Sequence, residues 1–263
     1  MAEGFAALPE VDLTIIGNVA DDDEFHGLWV SPDIDTMLYT LSDRINREQG
    51  WGLADEGRRA LDMLSDLGAD TWMFLGDRDF GLHIYRTERL RRGDRPSEIT
   101  ADIAKRLGIT ARLVLPTDDR VQTRVRTPDG WLTFQEYFVR ERCAPDVLEL
   151  RHDGIEAARM TVEAGDAIAG ADLIVVAPSN PLVSIRPILN IPGVRGSLAA
   201  AKAPIIGLSP LIAGKVVKGP ADKMMASLGL RADAFGVAAV YGGVLGRYLI
   251  GTAAANLAPQ IGA

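Results

Sequence analysis

The 263-residue chain contains a single cysteine and lacks any run of about 18 or more apolar residues, and each absence excludes a class of protein. One thiol, Cys143, cannot build the internal disulfide framework that stabilises small secreted domains. A helix that spans a bilayer needs about 20 consecutive residues that are mostly apolar. The N-terminus also lacks the basic and apolar regions of a signal peptide. The sequence therefore predicts a cytoplasmic protein without a membrane partner.

Positive charge is scarce as well. The chain has 28 Lys and Arg against 36 Asp and Glu, a net charge of −8. A protein that binds a nucleic-acid backbone presents a basic surface that displaces counterions, so nucleic acid is excluded as a partner. The hydrophobic fraction is 47%, enough for a full core at this length. We therefore expect a single α/β domain over residues 1–263.

Helical and strand periods alternate along the chain. Short β-branched runs predict buried parallel strands at 11–17, 171–177 and 204–208. Three- and four-residue spacings predict helices at 34–45, 55–67 and 97–107, the last capped by Ser97. Alternation around Pro128-Asp129-Gly130 predicts a hairpin of 121–127 and 131–138. The pattern indicates a parallel α/β sheet, with a core of about 9–40 and 155–250 and a helical and β-hairpin insertion at about 41–150.

Polar loops follow the predicted parallel strands, and in open parallel sheets ligands bind at the carboxyl ends of the strands. Hydroxyls, amides and lysines at these ends suit phosphate oxygens. The candidates are Asn18, Ser179, Asn180, Lys215 and Lys218. Ordinary turn chemistry explains each loop equally well when it is taken singly.

Carboxylates cluster in the same region. Asp21 and Asp22 follow the first strand, while Asp33 and Asp35 open the helix predicted near Ile34. One interpretation is that Asp33 caps that helix. The other is a Mg²⁺ site, because Mg²⁺ takes oxygen ligands, commonly one or two carboxylates with substrate phosphates and waters.

Nine motifs in order along about residues 11–250 carry a family resemblance. They are Asn18-Val-Ala-Asp-Asp, Ser31-Pro-Asp-Ile-Asp-Thr-Met-Leu-Tyr, Gln49-Gly-Trp-Gly, Leu75-Gly-Asp-Arg-Asp, Leu115-Pro-Thr-Asp-Asp-Arg, Phe134-Gln-Glu-Tyr-Phe, Ala177-Pro-Ser-Asn-Pro with Ser184-Ile, Ile191-Pro-Gly-Val-Arg and Gly219-Pro-Ala. Together they resemble the CofD/FbiA family, the 2-phospho-L-lactate transferases (LPPG:Fo transferases) of coenzyme F420 biosynthesis.

The resemblance implies a Rossmann-like, three-layer α/β fold with a parallel sheet, and a Mg²⁺-dependent transferase. A phosphorylated three-carbon acid, 2-phospholactate or phosphoenolpyruvate, would move from its guanosine-diphosphate-linked form to the terminal ribityl hydroxyl of the deazaflavin Fo, and GMP would leave. Such a transfer needs positioning and charge stabilisation more than covalent catalysis. The resemblance also implies a homodimer.

The same resemblance assigns roles to residues. Asp35 with Asp22 would bind the metal, and Asp33 would be a second ligand or orient Fo. Asp35→Ala is then expected to abolish transfer and leave the fold intact. Arg78 would contact Fo or the transferred phosphate; the alternative is a structural ion pair with Asp77 or Asp79.

The remaining roles are on the nucleotide side. Guanosine diphosphate would contact Asn18, Ser179, Asn180 and Ser184, with Lys215 or Lys218 nearby. His83 is a further candidate, although Leu82 stands where the family has threonine and a lone histidine is often structural.

Two departures from the family leave alternatives open. The first strand and its glycine-rich loop are expected before Val11, where residues 1–8 instead predict the end of a helix. The Gly/Ala-rich C-terminal stretch replaces an expected acidic one. The chain could therefore be a nucleotide-binding regulatory homologue or a catalytically impaired, truncated homologue. Binding separates these readings, because only the transferase needs both GDP and Fo.

Overall fold

The computed structural model describes residues 1–212, 215–216 and 219–261. Its strands are β1 Thr14–Ile16, β2 Asp23–Phe25, β3 Leu28–Val30, β4 Arg112–Val114, β5 Gln122–Thr127, β6 Gly130–Thr133, β7 Glu149–Asp153, β8 Ile174–Val176, β9 Ile205–Leu208, β10 Leu211–Ile212, β11 Lys215–Val216 and β12 Arg247–Leu249. Its α-helices are α1 Ala2–Ala6, α2 Pro32–Leu41, α3 Arg59–Asp66, α4 Asp77–Arg91, α5 Pro96–Arg106, α6 Val162–Ala169, α7 Arg186–Asn190, α8 Val194–Ala200, α9 Ala221–Ser227, α10 Ala234–Tyr241 and α11 Ala258–Ile261.

Parallel strands form two sheets. β1 pairs with β4, and β9 lies between β8 and β12, all in parallel. The predicted α/β class with parallel strands is confirmed, and each of the three predicted strands contains an observed one. β4 was not predicted. It lies within the range 41–150 assigned to the insertion, so the parallel core takes a strand from that range.

The predicted hairpin is confirmed, but its second strand is shorter than expected. β5 and β6 are antiparallel around the turn, with Thr127 opposite Gly130, and β7 adds to the other edge of β5. The second predicted strand ends earlier than expected, because residues Glu136–Arg140 form a helical turn. The backbone N–H of Thr133 donates to the Glu136 carboxylate at 2.7 Å and that of Glu136 donates back to the Thr133 hydroxyl at 3.1 Å, so this pair begins the turn.

The predicted helices correspond to α2, α3 and α5. α2 begins two residues earlier and ends four residues earlier than predicted, α3 is shorter at both ends, and α5 is shifted by one residue. The predicted Ser97 cap is wrong, because Ser97 lies inside the first turn of α5. Its N–H and its hydroxyl donate to Asp118, at 2.8 and 3.1 Å. α4 was missed altogether, although it contributes several residues to the site described below.

The hydrophobic core has two main parts. One packs α2 and α5 on β1 and β4, with Leu38, Ile99 and Leu113 buried between them. The other joins β8 and β9 to the C-terminal helices and the hairpin, around Tyr137, Leu182 and other buried side chains. In the described part of the chain, no helix is long and apolar enough to cross a membrane.

Two carboxylates cap neighbouring helices reciprocally. Glu56, which precedes α3, accepts the backbone N–H groups of Arg78 and Asp79 at the start of α4, at 2.9 and 3.0 Å. Asp77 of α4 accepts the N–H of Ala60 at the start of α3, at 2.9 Å. Since the first N–H groups of a helix have no partner within the helix, these contacts fix both helix starts.

Gly76 permits this arrangement, because a Cβ atom there would lie 2.2 Å from the Glu56 carboxyl carbon. We predict that Gly76→Ala displaces the cap and destabilises the fold by about 1–3 kcal/mol. Gly81→Ala is the matched control, since its Cβ would meet no atom within 4 Å and alanine favours the same helix. Urea denaturation should show a lower midpoint for the first variant only. Equal midpoints in both variants would contradict the capping role.

Candidate active site

Acidic and amide side chains meet at the carboxyl end of β1. Asn18 Nδ2 donates to Asp33 Oδ2 at 2.8 Å and to the backbone carbonyl of Val183 at 3.2 Å. Asn18 therefore joins the loop after β1 both to the start of α2 and to the loop after β8. The alternative in which Asp33 caps α2 is not what the structure shows, because Ser31 is the N-cap and Asp33 accepts from Asn18.

Asp21 and Asp22 are buried beside this junction, with exposed fractions of 5% and 7%. One oxygen of Asp22 accepts from the Ser31 hydroxyl at 2.7 Å and from Trp29 Nε1 at 3.2 Å. Within the described residues, Asp22 Oδ1 and Asp21 Oδ1 are buried and receive no hydrogen bond. Burial raises the pKa of both carboxyl groups well above the usual value. A cation bound at these oxygens would stabilise the charged form of the carboxylates and offset the cost of burying it.

Asp35 lies on the inner face of α2 and meets α4. Both of its oxygens accept from the Arg86 guanidinium, Oδ2 from Nη1 at 3.2 Å and Oδ1 from Nη2. Asp35 Oδ2 also lies 3.3 Å from the Ser31 nitrogen and 3.7 Å from His83 Nδ1. Asp35 is therefore held in a buried ion pair, and its assignment to a metal stays a prediction.

His83 belongs to the same buried group. Its exposed fraction is 2%, and its Nδ1 lies 3.3 Å from Arg86 Nη1. Burial lowers the pKa of His83 to about 4, so the ring is neutral near pH 7 and its nitrogen can accept from Arg86. His83 therefore lies beside the Asp35–Arg86 ion pair and helps to hold Arg86 in place.

Besides Asn18, the described residues that are predicted to contact the nucleotide lie on or beside the turn after β8 and on β11. The Asn180 side chain accepts the N–H groups of Leu182 and Val183, at 3.0 and 3.4 Å, and so caps the turn Pro181–Ile185. Ser179 precedes that turn and Ser184 lies within it, and both serines are half-buried. Lys215 is exposed on β11. Lys218 lies outside the described residues.

Arg78 is exposed at the start of α4. Its guanidinium donates to the backbone carbonyl of Ala54 at 3.3 Å, while Asp77 caps α3 and Asp79 accepts from Tyr39. The structure therefore does not show the alternative ion pair of Arg78 with these acids. Arg78 lines a cavity of about 340 Å³ together with Tyr39, Leu82, Tyr85 and other residues.

Leu53 lines this cavity and also a second one. The second cavity measures about 230 Å³ and its lining includes Trp51, Phe74, Glu56 and Asp79. Trp51 and Phe74 present aromatic surface, while the two acids line the same space. The arrangement suits a ligand that combines an aromatic ring with hydroxyl groups.

Sequence reasoning missed Arg86, Asp79 and Tyr39. A signal was present, because residues 79, 83 and 86 are spaced to share one face of a helix. Gly76, followed by acids at 77 and 79, is a typical helix start. No apolar period reveals α4, because the side chains on its buried face are polar.

Comparisons with known proteins agree with the sequence resemblance. A sequence model of one protein family, described as 2-phospho-L-lactate transferase CofD, matches residues 1–255. The phosphoenolpyruvate transferase of Kitasatospora aureofaciens is 44% identical over 239 residues, which are 89% of this chain and 74% of that protein. The phosphoenolpyruvate transferase of Streptomyces griseus is 41% identical over 261 residues, 97% of this chain and 82% of that protein.

A solved structure has a similar fold. A member of the UPF0052 family from Bacillus halodurans superposes with a TM-score of 0.56 at 16% sequence identity. The match covers 79% of this chain and 64% of that chain. At this identity the likeness shows the fold alone.

We predict that Arg86→Met destabilises the fold by about 3–5 kcal/mol, because it leaves Asp35 charged and buried without its partner. By the same argument Asp35→Ala would leave Arg86 charged and buried without its partner. The buried pair therefore contradicts the expectation that Asp35→Ala leaves the fold intact. The double variant Asp35→Leu/Arg86→Met should recover most of the loss, since it removes both charges. Urea denaturation measures all three variants.

The matched control is Arg112→Met, which removes an exposed arginine that lies 3.4 Å from Asp12. Its urea midpoint should not change measurably. If Arg86→Met and Arg112→Met gave the same midpoint, the buried pair would not hold α2 to α4.

Proposed function

This chain belongs to the CofD family of 2-phospho-L-lactate transferases, and from that premise we propose that it transfers a phosphorylated three-carbon acid to the deazaflavin Fo. The donor would be the acid linked to guanosine diphosphate, GMP would leave, and the product would enter coenzyme F420 biosynthesis. The names of the similar proteins, phosphoenolpyruvate transferases, support phosphoenolpyruvate as the acid. The observation that carries the proposal is the pair of unpartnered carboxylate oxygens beside Asn18 and the loop after β8.

The proposal includes Mg²⁺, and the donor set fits it. Among the described residues, Asp22 Oδ1 has no hydrogen-bond partner, and its position is fixed because Asp22 Oδ2 accepts from Ser31 and Trp29. In the described part of the chain, no three acidic, His or Cys side chains form a ready metal cluster. A Mg²⁺ ion commonly uses one or two carboxylates and completes its shell with phosphate oxygens and waters. Asp22, with Asp21 beside it, would hold the ion, which would neutralise charge on the diphosphate.

Asp35 takes a different role in this proposal. Its oxygens already accept from Arg86, so direct metal binding would require the buried pair to open. We assign Asp35 to positioning, because it fixes the start of α2 and thereby Asp33. Asp33 remains a candidate to ligate the ion or to orient Fo.

The donor nucleotide would lie along the loops after β1 and β8. Asn18 is already oriented by Asp33 and Val183. Ser184 follows Val183 directly in the sequence, and the hydroxyls of Ser179 and Ser184 would donate to phosphate oxygens of the nucleotide. Lys215 would contribute positive charge from β11, while Lys218 remains an expectation from the sequence.

The acceptor would occupy the cavity that contains Trp51 and Phe74. An aromatic tricycle suits this surface, and Asn46 and Gln49 line the same cavity with amide groups that match the polar edge of such a ring. Arg78 lines the neighbouring cavity, where its guanidinium could reach an anionic part of the substrate. The homodimer and the cytoplasmic location expected from the sequence also remain proposals.

We predict that Asp22→Asn lowers transfer at least about 100-fold, because a neutral amide oxygen binds Mg²⁺ more weakly than a charged carboxylate does. The assay measures GMP release and Fo consumption with GDP-linked phosphoenolpyruvate, with Mg²⁺ or with a chelator. Asp12→Asn is the matched control, since Asp12 is exposed beside Arg112, and it should keep the wild-type rate. Wild-type protein that binds GDP but neither binds nor consumes Fo would refute the transferase proposal and favour the regulatory alternative.

A further inference from the structure

Asp79 of α4 is a carboxylate without a role in the site described above. It lines the 230 Å³ cavity with Trp51 and Phe74, and its exposed fraction is 9%. The Tyr39 hydroxyl donates to Asp79 Oδ1, and the Gly76 N–H lies 3.4 Å from Oδ2. Asp79 is therefore held in one orientation at the wall of the cavity.

The other acids nearby are already engaged. Glu56 lines the same cavity, but its two oxygens accept the backbone N–H groups of Arg78 and Asp79. Asp35 accepts from Arg86, as described above. Asp79 also accepts two hydrogen bonds, from Tyr39 and from Gly76 at the start of its own helix. The Gly76 contact is long at 3.4 Å, so Oδ2 of Asp79 is the least engaged carboxylate oxygen in the lining of this cavity.

The electrostatic surroundings suit proton transfer near neutral pH. Burial raises the pKa of Asp79 to about 6, the Tyr39 hydrogen bond opposes that rise, and the charges of Asp35 and Glu56 add to it. On its own helix Asp79 is followed by His83, which is neutral near pH 7, and by Arg86, which is bound to Asp35. A base works best when its pKa lies near the working pH.

Resting on the proposed function, we propose that Asp79 is the general base that accepts the proton of the acceptor hydroxyl. The hydroxyl oxygen of Fo forms a bond to the phosphorus that carries the three-carbon acid. The bond from that phosphorus to the oxygen shared with GMP breaks, and GMP leaves with the bonding electrons. The hydroxyl proton passes to the Asp79 carboxylate. Tyr39 is a positioning residue, because it orients Asp79 and lowers its pKa.

The first test is Asp79→Asn, which keeps the shape and an oxygen that can accept from Tyr39. We expect kcat to fall about 10²- to 10⁴-fold, the usual contribution of a general base. The Kd for Fo should change little, and thermal unfolding should resemble that of wild type. A kcat within about threefold of wild type would overturn the assignment.

The second test follows the pH profile of kcat/KM, which a purely structural role would not move. Because the base must be ionised, wild-type kcat/KM should fall as the pH drops below about 6. Tyr39→Phe removes the hydrogen bond that lowers the Asp79 pKa, so the acidic limb should shift to higher pH. The substrates are unchanged, so their own ionisation cancels in the comparison. An unmoved limb would overturn the proposal.

These measurements separate the inference from the proposed function. If wild-type protein transfers nothing from GDP-linked phosphoenolpyruvate to Fo, the proposed function fails. If wild type is active and Asp79→Asn keeps its rate, only the assignment of the base fails. If Asp79→Asn does not fold, the limb of the Tyr39→Phe profile decides.

Discussion

Burial of negative charge at the end of β1 is the constraint on which the rest of the site depends. Asp21, Asp22 and Asp35 are all less than 9% exposed, and Arg86 is the one buried cationic side chain among the described residues. A buried charge is unfavourable unless it is paired or hydrogen-bonded. Arg86 satisfies Asp35, and Asn18 donates to the half-buried Asp33. Among the described residues, Oδ1 of Asp21 and Oδ1 of Asp22 have no partner, and the proposed cation would pair with them.

This constraint makes α4 a component of the site. Its buried face carries Asp79, His83 and Arg86, and two of these contact α2 through Tyr39 and Asp35. The reciprocal caps formed by Glu56 and Asp77 fix where α4 begins. The helical insertion therefore holds the acidic cluster at one end and forms the walls of the proposed acceptor cavity at the other. Metal, donor and acceptor would thus be organised by the contact between α2 and α4.

Local sequence signals predicted much of this architecture and missed its long-range partners. β1, α2 and the hairpin turn were recognisable because their apolar periods and turn residues are local. The loop after β1 meets the start of α2, where Asn18 contacts Asp33 and Asp22 contacts Ser31, and this convergence could be predicted from a loop at the end of a parallel strand. Arg86 could not be found in the same way, because it pairs with Asp35 across 51 positions of the chain. Ser97 has the residue type and position expected of a cap. Its actual partner, Asp118, lies on a distant segment that local patterns do not reveal.

The central claim is that the free oxygen of Asp22 binds a divalent ion together with the nucleotide diphosphate. The most direct test is a Mn²⁺ titration followed by electron paramagnetic resonance, with GDP present, on wild type and Asp22→Asn. The account predicts that wild type removes Mn²⁺ from solution and that the variant binds it at least about tenfold more weakly, because one carboxylate ligand is lost. Equal Mn²⁺ affinity in the two proteins would contradict the account.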